Sequence, residues 1–478
     1  MATTRRLRAT RPAQPALDPG IAAIRRAMGL PDRFPPDVEA AAARAAGHPR
    51  LPALDRTDLP LVTVDPPGAM DLDQALYVAR RDDGFMVHYA IADVAAFVQP
   101  GDPVDLEANR RGETLYGAAD KIPLHPKALS EDAASLLPGE TRPALLWTIA
   151  LDRTGEGTDV DVRRALVRSR ERLDYASVQA RIDTGQADPM WSVLREVGEL
   201  RIQREQRRGG ISLPLPDQEI EVGADGRWRL EFRARHPVED WNEQISLLTG
   251  MAAAHLMTTH GVGLLRTLPE PPAGAIARLH RTAHALRIDW PASRSYPDFI
   301  RSLDPKDPRH VAMMVACTTV LRGAGYAAFD GELPRQPMHS ALASTYTHVT
   351  APLRRLVDRY TGELCVALCA GEPPPAWVLD ALPGLPATMA DADRRAGQYE
   401  RAVIDLAESL ALAGRVGERF AASVVELGRD PRDGVVMLED LAIEARAHGD
   451  APLPLGERVQ VELTEADPSH RRIAFHVA

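Results

Sequence analysis

Residues 63–76 read Thr-Val-Asp-Pro-Pro-Gly-Ala-Met-Asp-Leu-Asp-Gln-Ala-Leu and carry three aspartates within a short span. Asp65 ends an apolar run, and the Pro-Pro-Gly sequence that follows turns the chain. Asp71 and Asp73 are two positions apart, so in an extended segment their side chains lie on one face. The sequence therefore predicts that the end of one strand and a returning strand bring three carboxylates together.

Such an acidic cluster is typical of a metal site. Carboxylates held close together repel one another, and a bound cation removes that cost. Oxygen ligands suit Mg²⁺, with Mn²⁺ as a substitute. These ions activate water and neutralise the charge of a phosphodiester transition state. A solvated acidic loop is the alternative that spacing alone leaves open, whereas an EF-hand is excluded by the missing glycine and glutamate.

A second stretch, residues 346–359, reads Tyr-Thr-His-Val-Thr-Ala-Pro-Leu-Arg-Arg-Leu-Val-Asp-Arg. Thr350 is predicted to cap the N-terminus of a helix. Arg354 and Arg355 would then lie in the first helical turn, where the helix dipole disfavours cations unless an anion binds there. A phosphate fits this position, because helix N-termini attract anions and arginine binds phosphate through two hydrogen bonds. A structural salt bridge, for example between Arg354 and Asp358, is the alternative.

Together the two stretches resemble the signatures of the ribonuclease II / ribonuclease R family of exoribonucleases. The acidic stretch is similar to the family's aspartate signature, and residues 348–355 resemble its His-Phe-Thr-Ser-Pro-Ile-Arg-Arg signature. The resemblance covers about residues 35–478. Weaker matches follow in the family's order at residues 111–116, 122–123, 173–175, 208–211, 243–244 and 400–401.

The resemblance implies an α+β fold. An RNB-type catalytic domain, in which helices surround a twisted β-sheet, would precede an OB-fold β-barrel of the S1 type. We expect a basic helical N-terminal region at residues 1–55, the catalytic domain at 56–410 and the barrel at 413–478. Only 64 residues precede Asp65, so the helical region is expected to replace the two cold-shock barrels that family members usually carry there.

The activity implied by the resemblance is hydrolytic 3′→5′ degradation of single-stranded RNA, without sequence specificity, to 5′-nucleoside monophosphates. Mg²⁺ is the implied cofactor, with Mn²⁺ as a substitute. Asp65, Asp71 and Asp73 are the implied metal ligands and, together with Arg354, the implied catalytic residues. Gln74 is the fourth candidate ligand.

RNA contacts are implied for a further set of residues. Tyr116 would stack on the 3′-terminal bases. Tyr175 and Glu243 would contact the ribose and its 2′-OH, the group that separates RNA from DNA. His348 is expected to shape its loop through a hydrogen bond rather than transfer a proton. The remaining implied RNA contacts are Arg111, His348, Thr350, Arg355 and Glu400.

Gln74 departs from the family pattern, which normally has an aspartate at this position. A glutamine carbonyl can ligate a metal but is neutral, so one of two metal sites should be weaker, unless an outer carboxylate such as Asp93 substitutes. The departure supports the main alternative, a catalytically impaired RNA-binding protein on the same fold. The aspartates and Arg354 favour the enzyme, because RNA binding needs no clustered acids. A hydrolase of another phosphodiester is the third hypothesis.

Composition sets wider limits on the kind of protein. A net charge of −10 argues against a protein that coats nucleic acid without specificity, but not against a local basic channel. The 3 cysteines predict a reducing compartment and no disulfide framework, and no apolar run reaches the roughly 18 residues of a membrane span. We expect a cytoplasmic monomer without membrane association or an obligate protein partner. Phe420 and Phe475 are the only aromatic residues after position 400, so base stacking on the barrel should be weak.

Overall fold

The computed structural model describes residues 7–9, 14–117, 121–213, 217–222, 228–233, 235–438, 441 and 443–477. The elements fall into four groups along the chain. The first group comprises β1 (Leu7–Ala9), α1 (Gln14–Ala27) and α2 (Pro36–Gly47). The second comprises β2 (Thr63–Val64), β3 (Gln74–Arg81), β4 (Gly84–Ala92), α3 (Pro103–Arg111), β5 (Leu115–Tyr116), β6 (Lys121–Ile122), β7 (Thr141–Asp152), β8 (Gly157–Arg168) and β9 (Arg172–Leu173).

The third group is mainly helical, and the fourth contains strands alone among the described residues. The third comprises α4 (Tyr175–Asp183), α5 (Pro189–Arg207), β10 (Asp217–Val222), β11 (Trp228–Arg233), α6 (Pro237–His260), β12 (Val262–Thr267), α7 (Ala273–Ala285), α8 (Tyr296–Arg301), α9 (Pro308–Thr318), β13 (Gly325–Asp330), β14 (Met338–His339), β15 (Ser344–Thr345), α10 (Leu356–Ala370), α11 (Ala376–Ala381) and α12 (Leu385–Leu412). The fourth comprises β16 (Arg419–Leu427), β17 (Asp433–Leu438), β18 (Glu444–Gly449), β19 (Arg458–Asp467) and β20 (Arg472–Val477).

A four-stranded antiparallel sheet of order β3-β4-β7-β8 forms the centre of the larger part of the chain. Side chains of β3 alternate between its two faces, so Leu76 and Val78 join one hydrophobic core while Ala75 joins another. Helices α5, α6 and α10 contribute buried residues to the first core. Helix α2 contributes Val38 and Ala42 to the second. The sheet is therefore buried between helices on both faces, and the predicted α+β class is confirmed.

Helix α3 delivers the segment that carries Tyr116. It begins at Asp102, whose side chain accepts a hydrogen bond from the Asp105 amide at 2.8 Å and caps the helix. It ends at Gly112, which has a left-handed φ of 73°. A β-carbon at Gly112 would lie 2.5 Å from the Ala392 side chain of α12, so glycine permits this close approach. The hairpin β5–β6 follows at once and leads toward the acidic stretch.

The C-terminal part is a closed five-stranded barrel of order β16-β17-β18-β20-β19, which confirms the predicted OB-type barrel. Phe420 and Phe475 meet edge to face inside it, with ring centroids 5.8 Å apart. Both are buried, so neither presents a ring to a base, in agreement with the weak stacking predicted. The same core includes Leu406 of α12 and Ile21 of α1, so the helical N-terminal segment and the barrel share one hydrophobic cluster.

Two further features concern the cysteines and the helices. Cys317, Cys365 and Cys369 are all free, and the first two are buried. Burial raises the pKa of each thiol, so these cysteines remain protonated and pack as small apolar groups. Within the described ranges, none of the helices has the length and apolar character needed to cross a membrane.

His125 makes the folded chain sensitive to acid. It is buried, and burial, together with the charge of Arg359, lowers its pKa to about 3. The unfolded chain therefore binds more protons than the folded chain below pH 6.5, so stability falls as the pH falls. At pH 5 the loss from this residue is about 2 kcal/mol, from 1.36 kcal/mol per pH unit below 6.5. Urea unfolding at pH 7 and pH 5 should show a smaller loss for His125→Gln than for the wild type; equal losses would contradict this account.

Candidate active site

The acidic stretch turns between β2 and β3. Gly68 has a left-handed φ of 83° at the turn, a conformation that side chains with a β-carbon rarely adopt. Ser135 then fixes the returning segment: its hydroxyl donates to the Met70 carbonyl at 2.6 Å and accepts from the Leu72 amide at 2.9 Å. Asp71 and Asp73 lie on this segment, immediately before β3 begins at Gln74. The returning strand that was predicted to carry them therefore includes neither aspartate.

Asp73 is the most deeply buried of the three aspartates, with 2% of its surface exposed. Its Oδ1 accepts a hydrogen bond from the Leu353 amide at 2.8 Å, whereas its Oδ2 has no hydrogen-bond partner. The Nε of Arg354 lies 3.7 Å from that Oδ2. The two predicted signatures, 280 positions apart in sequence, therefore meet at this carboxylate.

The electrostatics of the cluster suit a divalent cation. Burial raises the pKa of Asp73 to about 7 and that of Asp65 to about 6, while the charge of Arg354 opposes both shifts. Each of these two carboxylates also interacts electrostatically with Asp71. A divalent ion would supply the positive charge that these buried oxygens lack, and Mg²⁺ prefers such ligands. The Oδ2 of Asp73, buried without a hydrogen-bond partner, is the observation that makes the donor set fit the ion.

The three aspartates are nevertheless not arranged as a complete set of metal ligands. Among the described residues, no group of three or more His, Cys, Asp or Glu side chains is arranged to hold a metal ion. One reason is visible at Asp71, whose Oδ1 lies 2.7 Å from the Nζ of Lys121. Lys121 was not among the predicted site residues, although it is one of only three lysines among the 57 basic residues of the chain. The rarity of lysine draws attention to this residue but does not distinguish it from Lys127 and Lys306.

Gln74 joins the acidic stretch to the basic stretch through a hydrogen bond and brings no charge to the cluster. Its Nε2 donates a hydrogen bond to the Thr350 carbonyl oxygen at 2.5 Å. An aspartate here would place a carboxylate against that carbonyl oxygen. Asp93, the suggested substitute, is also committed elsewhere, because its Oδ1 accepts from the Ala96 amide and its Oδ2 from Arg164 at 2.9 Å. The idea that Asp93 completes the metal site was therefore wrong.

The basic stretch differs from the prediction at its helix boundary. Helix α10 begins at Leu356, with Arg355 as its N-cap, so Thr350 does not cap it and neither arginine lies in its first turn. Asp358 is the physical reason: its Oδ1 accepts from the Ala351 amide at 2.7 Å and from Arg355 at 2.9 Å. These bonds fold residues 351–355 back as a turn. The salt bridge suggested between Arg354 and Asp358 is not formed; Asp358 pairs instead with Arg355.

Arg354 is the arginine of this pair that remains available. Its side chain is 39% exposed and interacts electrostatically with Asp73, Tyr116 and Asp65. Arg355, by contrast, gives its guanidinium to Asp358, a carboxylate only 1% exposed. The structure therefore places one arginine at the acidic cluster and uses the next to hold the turn.

Two tyrosines flank the same cluster. Tyr116 lies on β5, is 45% exposed and interacts electrostatically with Arg354 and Asp71. Tyr175 is the first residue of α4, and its hydroxyl accepts a hydrogen bond from Asn242 at 3.1 Å. Burial, and then the charge of Asp65, raises its pKa to about 12, so its hydroxyl stays protonated and can donate. An exposed tyrosine and a half-buried one therefore both interact with the aspartate cluster.

The other residues predicted to contact RNA form hydrogen bonds or ion pairs within the protein. The Nδ1 of His348 hydrogen-bonds the Tyr326 hydroxyl at 2.6 Å, and burial holds its pKa well below the usual value, as expected for a loop-shaping histidine. Arg111 is buried, donates to Glu107 at 2.9 Å and stacks over Phe34 at 3.7 Å. The structure therefore favours a structural role for Arg111.

Three predicted RNA contacts remain to be placed. The Thr350 hydroxyl lies 2.9 Å from that of Ser246, inside the protein. Glu243 lies on α6 and pairs with Arg235. Glu400 lies on α12, next to the buried Tyr399. None of the three joins the set of residues around Asp73 that the electrostatic interactions define.

The chain matches two family models and is similar in sequence to proteins described as ribonucleases or exonucleases. A family model described as the RNB domain matches residues 54–369, and one described as the RNase II-type exonuclease C-terminal S1 domain matches residues 418–478. Ribonuclease R of Escherichia coli (strain K12) is 27% identical over 470 residues, which cover 88% of this chain and 57% of that protein. Exosome complex exonuclease RRP44 homolog A of Arabidopsis thaliana is 28% identical over 330 residues, covering 66% of this chain and 35% of that one. The chain thus spans less than two thirds of these relatives.

Solved structures share the fold. The apo form of Mycoplasma genitalium RNase R superposes with a TM-score of 0.85 at 20% identity, covering 97% of this chain and 78% of that one. Yeast Ssd1, described as a pseudonuclease, superposes with a TM-score of 0.70 at 17% identity, covering 95% of this chain and 57% of its own. The same fold therefore occurs in a protein described as a ribonuclease and in one described as a pseudonuclease.

Proposed function

The chain belongs to the RNB family of ribonucleases, as the resemblance indicated, and from this premise we propose that it is a hydrolytic 3′→5′ exoribonuclease. The proposed substrate is single-stranded RNA of any sequence, and the products are 5′-nucleoside monophosphates. Mg²⁺ is the proposed cofactor, with Mn²⁺ as a substitute. The observation that carries the proposal is the buried Oδ2 of Asp73, which accepts no hydrogen bond and lies 3.7 Å from the Nε of Arg354.

Asp65 and Asp73 would hold Mg²⁺, with Asp71 and Gln74 as the further candidate ligands. When bound, the ion supplies an activated water and offsets phosphate charge. The chain itself keeps the Asp73 carboxylate oriented through the Leu353 amide, so that its free oxygen stays directed into the cluster. Arg354 would donate hydrogen bonds to the phosphate and stabilise the charge that develops in the transition state.

The flanking tyrosines would position the 3′ end of the strand. Tyr116 offers an exposed ring for stacking on a terminal base, a contact that tolerates any sequence. Tyr175 receives a hydrogen bond from Asn242, so its own hydroxyl proton is free to point toward a ribose oxygen. Glu243 remains a predicted contact to the ribose. These contacts would make the enzyme distinguish RNA from DNA through the 2′-OH.

The remaining predicted RNA contacts receive a modified role in this proposal. Those that bond within the protein would act on RNA indirectly, as Arg355 does by holding the turn beside Arg354, and Glu400 remains a predicted direct contact. The hydrogen bonds of Arg355 to Asp358 and of His348 to Tyr326 support this reading. The residues concerned are Arg111, His348, Thr350, Arg355 and Glu400.

We also propose a division of labour along the chain. Residues 56–410 would form the catalytic domain and residues 413–478 a barrel that holds the incoming strand through its backbone. Residues 1–55 would form a helical support. The cytoplasmic location, the monomeric state and the lack of an obligate partner remain predictions from the sequence.

A catalytically impaired RNA-binding protein is the second candidate function. Gln74 favours it, because the amide is neutral and its nitrogen is committed to the Thr350 carbonyl. The shared fold with a protein described as a pseudonuclease is compatible with it. The buried Oδ2 of Asp73, which accepts no hydrogen bond, weighs against it, because binding RNA does not require a buried carboxylate beside the arginine.

Product analysis tests the proposed reaction. Single-stranded RNA incubated with the protein and Mg²⁺ should yield nucleosides phosphorylated at the 5′ position, identified by ion-exchange chromatography against standards. EDTA should stop their release, Mn²⁺ should restore it, and DNA of the same sequence should stay intact. Release of 3′-phosphates or cyclic phosphates would contradict metal-assisted attack by water, and equal degradation of DNA would contradict the ribose contacts.

A further inference from the structure

We propose that Lys121 serves as a built-in cation of the site, holding Asp71 so that the centre takes one divalent ion, bound by Asp65 and Asp73, instead of two. This inference rests on the proposed function, since it concerns the same cluster. It assigns a positioning role to a residue that lies 50 positions from Asp71 and outside both signatures.

The geometry places an ammonium group against two carboxylates that a second ion could otherwise bind. The Nζ of Lys121 lies 2.7 Å from Asp71 Oδ1 and 3.1 Å from Glu131 Oε1. All three side chains are mostly shielded from solvent, with exposures of 22%, 15% and 19%. Lys127 lies 3.6 Å from the other oxygen of Glu131 and is 75% exposed. Glu131 thus has a second cation of its own, and Lys121 is left to neutralise Asp71.

The charges balance with a single divalent ion. Asp65, Asp71 and Asp73 carry three negative charges when ionised, and the ammonium of Lys121 offsets one of them. The two that remain equal the charge of one Mg²⁺. Arg354 is then available for the negative charge of a phosphate. A second divalent ion would need another carboxylate, and the sequence has the neutral Gln74 at the position where the resemblance leads one to expect it.

Two independent observations support the same arrangement. The Gln74 amide is fixed by its bond to the Thr350 carbonyl, so it does not replace the missing charge. Among the residues that the structure describes, no three acids, histidines or cysteines form a group able to hold a metal. The second observation is expected if Asp71 is held by Lys121 and not by an ion.

The choice of lysine over arginine is also informative. Only three of the 57 basic residues are lysines, so this chain uses arginine almost everywhere a positive charge is needed. An ammonium is a compact point charge comparable in size to a small cation, whereas a guanidinium is a broad plane. A lysine at the acidic cluster is therefore the residue type that best substitutes for a small cation.

The test is a count of Mn²⁺ ions bound to the full chain without RNA, from the electron paramagnetic resonance signal of free Mn²⁺ during titration. The wild type should bind one equivalent. Lys121→Met keeps the length of the side chain but frees Asp71 and Glu131, and it should bind a second equivalent. Lys127→Met is the matched control, which removes a lysine near the same glutamate and should leave the count at one.

The proposal is overturned if the wild type binds two equivalents or none, or if folded Lys121→Met still binds one. Thermal melting establishes that the variants are folded. Because no RNA is present, the result is separate from the proposed function: a wild type with one Mn²⁺ that fails to hydrolyse RNA would refute the exoribonuclease and leave Lys121 in place. A wild type with two ions that hydrolyses RNA would do the reverse.

Discussion

Asp73→Asn should lower the rate of RNA hydrolysis by on the order of a thousandfold, equivalent to about 4 kcal/mol of transition-state stabilisation. The free Oδ2 of Asp73 is the buried anionic oxygen on which the proposed ion depends. An amide in its place offers a neutral ligand and removes one of the two charges that balance the ion. Single-turnover cleavage of a labelled RNA, at saturating protein and Mg²⁺, measures the loss directly.

The asparagine variant should fold normally, which separates chemistry from stability. Its remaining carbonyl oxygen can still accept the hydrogen bond from Leu353. Burial raises the pKa of Asp73, so removing its charge should leave the melting temperature of the metal-free protein equal or higher. RNA binding in a gel shift should persist. Hydrolysis within tenfold of the wild type would contradict a role for Asp73 in catalysis.

Arg354→Ala should reduce kcat/KM by about 10²–10³-fold, because it removes a charged donor aimed at the reacting phosphate. Its side chain is 39% exposed and pairs with the buried Asp73, which can take up a proton when the arginine is lost because burial raises its pKa to about 7, so the melting temperature should change little. Steady-state kinetics and thermal melting of the same preparation test both halves of the expectation.

Arg355→Ala is the matched comparison, one residue away. Arg355 pairs with Asp358, which is 1% exposed, and removing it leaves a buried charge without its partner. Breaking a buried pair in this way costs about 3–5 kcal/mol, so this variant should lose stability first. If Arg354→Ala lost stability and Arg355→Ala lost only rate, the assignment of the two arginines would be reversed.

The sequence contained enough to place the two signatures in one fold. The apolar residues at positions 75–78 predicted a strand, and short strand-like segments separated by polar turns within residues 413–478 predicted the barrel. These patterns depend on period and local turn residues, which neighbouring positions supply. The meeting of Asp73 with residues 353–354 was expected only through the resemblance, since no local property connects positions 280 apart.

The misses share a physical cause. Thr350 has the features of a helix cap, but a side chain eight residues later, Asp358, bonds the Ala351 amide and moves the start of the helix. Asp93 was available in the sequence but is committed to Arg164 in the fold. Lys121 reaches Asp71 only because the hairpin β5–β6 brings it there. In each case a contact made only in the folded chain determined where the residue lies or what it pairs with. Patterns in a single sequence do not show such contacts.

A time course on a single-stranded RNA of about 30 nucleotides, long enough to reach both the barrel and the acidic cluster, tests the central claim most directly. The RNA carries a 5′ label and is incubated with Mg²⁺ and either the wild type or Asp73→Asn. The account predicts a ladder that shortens one nucleotide at a time from the 3′ end, for the wild type alone. Intact RNA in every lane, with a gel shift still present, would mean that the chain binds RNA without cutting it.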